Sequence, residues 1–209
     1  MEYLSVPMVT PTGFREYDAR WRYPEQVNLA GIQSLGLAFA TQLHEMGVTP
    51  KVALGCDFRS YSAAIKQAFA LGLVSGGAEV LDIGVGLSPM AYFSQFDLDA
   101  PAVAMVTASH NPNGWTGVKI GCERPLTHGP AEMGRLKEIV MQGQGVLRGG
   151  GSYRRVEGVR ERYIADLIGG FRMSRPLKVV VACGNGAAGA FGPAALEAIG
   201  VEVVPLHTD

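Results

Sequence analysis

The 209-residue sequence is 47% hydrophobic and 18% charged, enough apolar content to bury a core and too little charge for a disordered tail. A formal net charge of -1 gives no electrostatic pull toward nucleic acid or an anionic membrane, and the cluster Arg154, Arg155, Arg160 and Arg162 reads as a solvated face. Three widely spaced cysteines (Cys56, Cys122, Cys183) without a CxxC pair argue against a disulfide framework or zinc site. No leader opens residues 1–11, and Lys66, Asp82 and Asp97 interrupt the longer apolar runs, so a reduced, soluble, cytoplasmic protein is expected.

The first helix is expected from Asn28. Leu29, Ile32, Leu35, Phe39, Leu43 and Met46 recur every three or four residues and make one apolar face, with Asn28 as N-cap and Gly47 just past the end. Residues 51–55 read as a short buried strand, 61–75 as a helix closed by Gly76 and Gly77, and 78–83 as a strand. A short helix over 89–96 starts at Pro89. The continuous apolar run 102–107 predicts a central strand. A polar loop, a short strand over 118–121 and a helix over 132–141 follow.

Residues 143–152 are glycine-rich and contain Gly149-Gly150-Gly151, which reads as an interdomain connection. A new α/β pattern then begins: helix 159–168, strand 178–183, the Gly184-Asn185-Gly186 turn, helix 191–199 and strand 201–206. This second pattern starts without finishing an open sheet, and its edge is expected to be exposed, as in a fragment of a longer protein.

Chemistry concentrates in Thr107-Ala108-Ser109-His110-Asn111-Pro112. A buried strand ends at Thr107 and delivers Ser109 to the carboxyl edge of a sheet, where α/β folds place ligands. Asn111 and Pro112 turn the backbone, and Gly114 and Gly117 loosen the return to Lys119. A hydroxyl, an imidazole and an ammonium are thereby gathered near one loop. Phosphoryl transfer needs such a set: an acceptor oxygen, a proton carrier and a charge stabiliser.

The longer string AMVTASHNPNGWTGVKIG resembles the active-site serine loop of the α-D-phosphohexomutases, in which the serine is phosphorylated in the resting enzyme. Four other segments agree in order. FREYDAR (14–20) is similar to the family's N-terminal signature, and GCDFRSYS (55–62) to its G-x-D-x-R-x-S segment. Asp82-Ile83-Gly84 followed by Ser88-Pro89 resembles its D-x-G…TP segment, and KVVVACGNGAAG (178–189) the opening of its second domain. Trp21, Trp115-Thr116 and Ala182 depart from the common family residues, whereas Arg20, Ser109, His110 and Lys119 are retained.

The resemblance implies a three-layer, mixed-sheet α/β domain over 1–150 carrying the phosphoserine loop, and the incomplete start of a similar second domain over 156–209. It implies a phosphomannomutase/phosphoglucomutase reaction. Phospho-Ser109 gives its phosphoryl group to a hexose monophosphate, a 1,6-bisphosphate turns end for end, and its other phosphate returns to Ser109. His110, Lys119 and Arg20 join Ser109 as implied catalytic residues. Magnesium is implied, with the phosphate on Ser109 as one ligand and its carboxylates outside this sequence, as is hexose 1,6-bisphosphate as activator. The implied partners are a hexose phosphate substrate and further domains of the same polypeptide. The fragment alone is expected to be inactive. Two other readings compete. A serine hydrolase would want a GxSxG elbow, which the residues around Ser109 do not form; a non-catalytic sugar-phosphate-binding domain would use the same loop without turnover. His44, His128 and His207 are assigned no role.

Overall fold

The computed structural model describes residues 6–124 and 126–208; the start of the stretch read as leaderless, residues 1–5, lies outside them. Contacts divide the chain into two compact units, 1–156 and 157–209.

The first unit is a three-layer α/β domain. Its elements in chain order are β1 (Ala19–Arg22), α1 (Leu29–Glu45), β2 (Lys51–Cys56), α2 (Ser62–Ser75), β3 (Glu79–Val85), α3 (Ser88–Asp97), β4 (Ala102–Val106), β5 (Trp115–Gly121), α4 (Pro130–Met141) and β6 (Ser152–Arg155). The six strands form one sheet in the order β1-β5-β4-β2-β3-β6. β4, β2, β3 and β6 run parallel, while β5 is antiparallel to both of its neighbours, so the sheet is mixed.

The unbroken apolar runs of β2 and β4 follow from burial on both faces. Alternation along the strands sends Trp21, Val52, Leu54, Val106, Val118 and Ile120 into one core with α1, α2 and α4. Ala53, Val103 and Met105 point the other way and are also buried, on the side where α3 packs across β2 and β4. Asn28 caps α1 as the spacing predicts, its Oδ1 accepting from the Gly31 amide at 2.8 Å. Two glycines let α1 and α2 touch backbone to backbone. A Cβ at Gly36 would lie 2.2 Å from the Phe69 carbonyl oxygen, and one at Gly72 would lie 2.0 Å from that of Gln33.

Three features differ from the sequence reading. Residues 19–22 form an edge strand that four residues of mixed polarity did not announce. β5 begins at Trp115, three residues before its apolar stretch, because its start pairs with β1. Finally, the glycine-rich segment 143–152 does not connect two domains. It leads into β6, which pairs in parallel with β3 (Glu79↔Ser152 to Asp82↔Arg155), and the first unit extends to Val156. Gly151 is held there by contact: its Cβ would lie 2.1 Å from the Val74 carbonyl oxygen.

The second unit comprises α5 (Val159–Ile168), β7 (Leu177–Ala182), α6 (Gly192–Ala198) and β8 (Val201–Leu206). β7 and β8 form a two-stranded parallel sheet, and β7 alternates half-buried with exposed residues. Lys178 pairs with Glu202 at 2.6 Å across its exposed face.

Candidate active site

β4 ends at Val106, and Ser109 follows on the loop at the carboxyl edge of the sheet, exposed, as its position after a buried strand predicts. Its backbone lies at φ +55°, a left-handed conformation that a serine rarely adopts. The loop is held in this shape by specific bonds. The Ser109 amide donates to Thr107 Oγ1 at 2.9 Å, and the Asn111 amide donates to the Ala108 carbonyl at 3.1 Å, which closes the turn. At the far side, Tyr61 OH donates to the Trp115 carbonyl and accepts from the Gly114 amide, both at 2.9 Å.

Below the loop sits Asp57, one residue past β2. Thr107 Oγ1 and Arg59 Nη1 donate to its Oδ2; Ser62 Oγ and the Arg59 amide donate to its Oδ1. Four donors fill the roughly four acceptor sites of a carboxylate, so Asp57 has no capacity left to serve as a base or a metal ligand. Arg59 carries the network up to the loop: its Nη2 donates to the Asn111 carbonyl at 2.6 Å and reaches the Ser109 carbonyl at 3.4 Å.

Arg20 approaches from the edge strand. Its Nε and Nη2 donate to Asp18 Oδ2 at 2.9 and 2.8 Å, and its Nη1 donates to Asn111 Oδ1 at 2.7 Å and to the Ala108 carbonyl at 3.5 Å. Gly117 makes this crossing possible, because a Cβ there would lie 3.1 Å from Arg20 Cγ and 2.1 Å from the Ala19 carbonyl oxygen. Arg20 pairs with Gly117, two residues from the Lys119 that faces Met105, so it lies on the sheet face where α3 packs; on α3, burial pushes the Tyr92 phenol up, and the charge of Asp18 adds to the shift.

The four sequence-predicted residues are thus only partly brought together. Ser109 and His110 are neighbours, with His110 Nδ1 3.3 Å from Ser109 Oγ. Arg20 is tied to their loop through Asn111. Lys119 pairs across the strands with Met105, and it shares a sheet face with Arg20, whose partner is Gly117. Lys119 is half-buried as a residue, and its ammonium makes no hydrogen bond or ion pair among the described residues. Asp57, Arg59, Thr107 and Tyr61 were given no role by residue chemistry, although three of them lie in GCDFRSYS. The signal was Asp57 and Arg59, charged residues on either side of Phe58 just past a buried strand, at the sheet edge that also carries Ser109. Cys56, also at this edge, is not a rival nucleophile: burial pushes its thiol up to about 11, against the opposing charge of Lys66.

No three His, Cys, Asp or Glu side chains converge on a possible metal position among the described residues. With Asp57 saturated, the residues at this loop do not by themselves make a magnesium site.

Comparison with known proteins gives a consistent picture. The family model described as phosphoglucomutase/phosphomannomutase, alpha/beta/alpha domain I, matches residues 11–145. A phosphomannomutase/phosphoglucomutase of Pseudomonas putida is 33% identical over 98% of this chain and 43% of its own length. A phosphomannomutase of Salmonella typhimurium is 37% identical over 96% of this chain and 45% of its own. A crystal structure of a phosphoglucomutase/phosphomannomutase family protein from Burkholderia thailandensis superposes with a TM-score of 0.88 at 28% identity, covering 97% of this chain and 45% of that one. The chain therefore spans less than half the length of the curated relatives it matches.

Proposed function

Because the chain belongs to the phosphoglucomutase/phosphomannomutase family, we propose that it supplies the phosphoryl-carrying domain of an enzyme that interconverts hexose 1-phosphates and 6-phosphates. The observation that carries this reading is the presentation of Ser109: an exposed hydroxyl, at the carboxyl edge of the sheet, at φ +55° on a loop held by bonds from β1 and from the segment after β2. A nucleophile fixed before its substrate arrives suits phosphoryl transfer, where positioning and charge neutralisation supply most of the catalysis.

In this reading Ser109 Oγ carries the phosphoryl group between enzyme and sugar, through a hexose 1,6-bisphosphate that also primes the resting enzyme. His110 Nδ1, 3.3 Å from that oxygen, is placed to take or return a proton. Lys119 supplies unpaired positive charge on the sheet face shared with Arg20. Arg20 holds the loop at Asn111 and completes the set. Magnesium belongs to the whole enzyme, with the phosphate on Ser109 as the one ligand from this chain. Residues 157–209 open a second α/β domain, and further domains of the same polypeptide supply the sugar contacts. A cytoplasmic setting agrees with three free cysteines, two of them buried. Among the described residues no helix is long and apolar enough to cross a membrane.

The test is a coupled mutase assay on the whole protein and on the 209-residue chain, with magnesium and a trace of hexose bisphosphate. The whole protein is expected to turn over and to lose at least about a thousandfold in kcat in Ser109→Ala, the scale on which loss of a covalent group acts. The chain alone is expected to show no turnover. Full activity in Ser109→Ala would remove the phosphoserine and the proposal with it.

A further inference from the structure

Two Asp-x-Arg triplets from different parts of the chain converge on one residue. Asp18 orients Arg20, whose Nη1 reaches the Asn111 side-chain oxygen at 2.7 Å. Asp57 orients Arg59, whose Nη2 reaches the Asn111 main-chain oxygen at 2.6 Å. One arginine comes from the edge strand β1 and the other from the turn after β2, so the serine loop is gripped from two elements.

We propose that Arg59, oriented by Asp57, is a positioning residue that fixes the backbone of the nucleophilic serine. The inference rests on the mutase reading for its kinetic consequence. Three points argue for positioning and against direct phosphate binding. The Arg59 guanidinium is already paired with Asp57, so it offers a phosphate no net charge beyond what the pair cancels. It is only 18% exposed and directed at main-chain carbonyls. The same carboxylate also accepts from Thr107 Oγ1, which in turn accepts the Ser109 amide, so Asp57 holds Ser109 from its amide side while Arg59 holds its carbonyl side. Both flanking peptide groups of Ser109 therefore answer to one partly buried ion pair. That is what a serine in the left-handed region requires, since nothing intrinsic to its own side chain favours φ +55°. A planar fork with fixed donor directions does this, and an ammonium on a flexible stem does not.

The experiment compares Arg59→Lys, which keeps the charge, with Arg59→Gln in two arms. In the 209-residue chain, hydrogen exchange is followed at the Ser109 and Asn111 amides and across β4. Both variants are expected to speed exchange at the two loop amides by about tenfold or more while β4 stays as in wild type, the size expected from losing one charge-assisted hydrogen bond. In the whole protein, kcat is expected to fall by about 10- to 100-fold with KM within twofold, and added guanidinium ion is expected to restore part of the loss in Arg59→Gln. Unchanged loop exchange in both variants would overturn the proposal. So would a raised KM with kcat intact, which would make Arg59 a substrate contact. A wild-type whole protein without mutase turnover would sink the mutase reading alone, because the exchange arm still decides whether Arg59 holds the loop.

Discussion

Lys66 and Asp82 form a buried ion pair whose disruption has a calculable cost. Lys66 Nζ lies 2.6 Å from both carboxylate oxygens, and the two side chains are 5% and 2% exposed. Asp82 also accepts from the Gly84 amide at 2.8 Å and from the Tyr153 hydroxyl. Lys66→Met leaves that carboxylate without its main counter-charge, and breaking a buried pair in this way costs about 3–5 kcal/mol. The expected loss is about 3, the low end of that range, because Arg155 stands 3.6 Å from Asp82 Oδ2 and takes over part of the charge. The double variant Lys66→Met/Asp82→Asn removes both charges and keeps an oxygen acceptor for the Gly84 amide, with the new NH2 able to donate to the Tyr153 hydroxyl oxygen, and should return to within about 1–2 kcal/mol of wild type. Urea unfolding followed by tryptophan fluorescence reads the first unit alone, since Trp21 and Trp115 are the two tryptophans and both lie in it. The pH dependence is a second check. Burial by itself raises the Asp82 pKa, but hydrogen bonds from Lys66, Tyr153 and Gly84 outweigh it and leave the carboxyl below its ordinary value. A depressed carboxyl stabilises the fold above the unfolded pKa of about 4, and that contribution is lost as pH falls through the folded value. Without Lys66 the burial effect dominates, so the gap between wild type and Lys66→Met should narrow on acidification. A Lys66→Met cost below about 1 kcal/mol at pH 7, or a gap that widens in acid, would refute the reasoning.

Two further outcomes are expected. Burial lowers the His128 pKa to about 4, with Glu132 partly opposing, so this imidazole stays neutral in the fold while it protonates near 6.5 in the unfolded chain. Its contribution is complete above pH 6.5 and is lost as pH falls toward 4, by up to about 3 kcal/mol, and His128→Gln should flatten the stability curve in that window. Gly36→Ala forces a methyl carbon to within 2.2 Å of the Phe69 carbonyl oxygen, and it should destabilise the first unit by about 3 kcal/mol or more in the same urea assay, well beyond the helix-propensity gain of Ala over Gly.

Most of the first unit was legible because its strands are apolar runs and its helices carry apolar stripes, both properties of single segments. What escaped depends on pairing between distant segments. Ala19–Arg22 alternates buried and exposed on an edge strand, and its identity comes from β5. Ser152–Arg155 is four exposed residues held by backbone bonds to β3 and by Tyr153 and Arg155 reaching Asp82. No local hydrophobic signal marks such a strand, and three consecutive glycines ahead of it suggested a linker instead. The serine loop itself was readable, since Asn111-Pro112 and the buried strand before it are local features. Its supports were not, because Asp57 and Arg59 lie about fifty residues away and meet it only through the parallel pairing of β2 with β4.

The distribution of charge around the loop separates the roles of its cations. Arg20 and Arg59 each have an aspartate two residues upstream and each spends its remaining donors on the loop's own oxygens. Both Asp-x-Arg pairs are close to neutral as units. They hold the loop with short bonds while contributing little net field at Ser109 Oγ. Lys119 is different: it has no acidic partner among the described residues, and its strand is joined to both β1 and β4, so its position is fixed by the same pairing that fixes Arg20. In the proposed mutase reading, a phosphate on Ser109 would bring a charge of about −1.5 to −2. If the arginines were unpaired, that charge would draw them off the loop and change the geometry with each transfer of the phosphoryl group. Pairing them with aspartates would make the scaffold insensitive to that charge. In that reading, the unpaired Lys119 and the neighbouring His110 are the groups in this chain left to meet the phosphate, while the paired arginines keep the serine placed alike before and after the transfer.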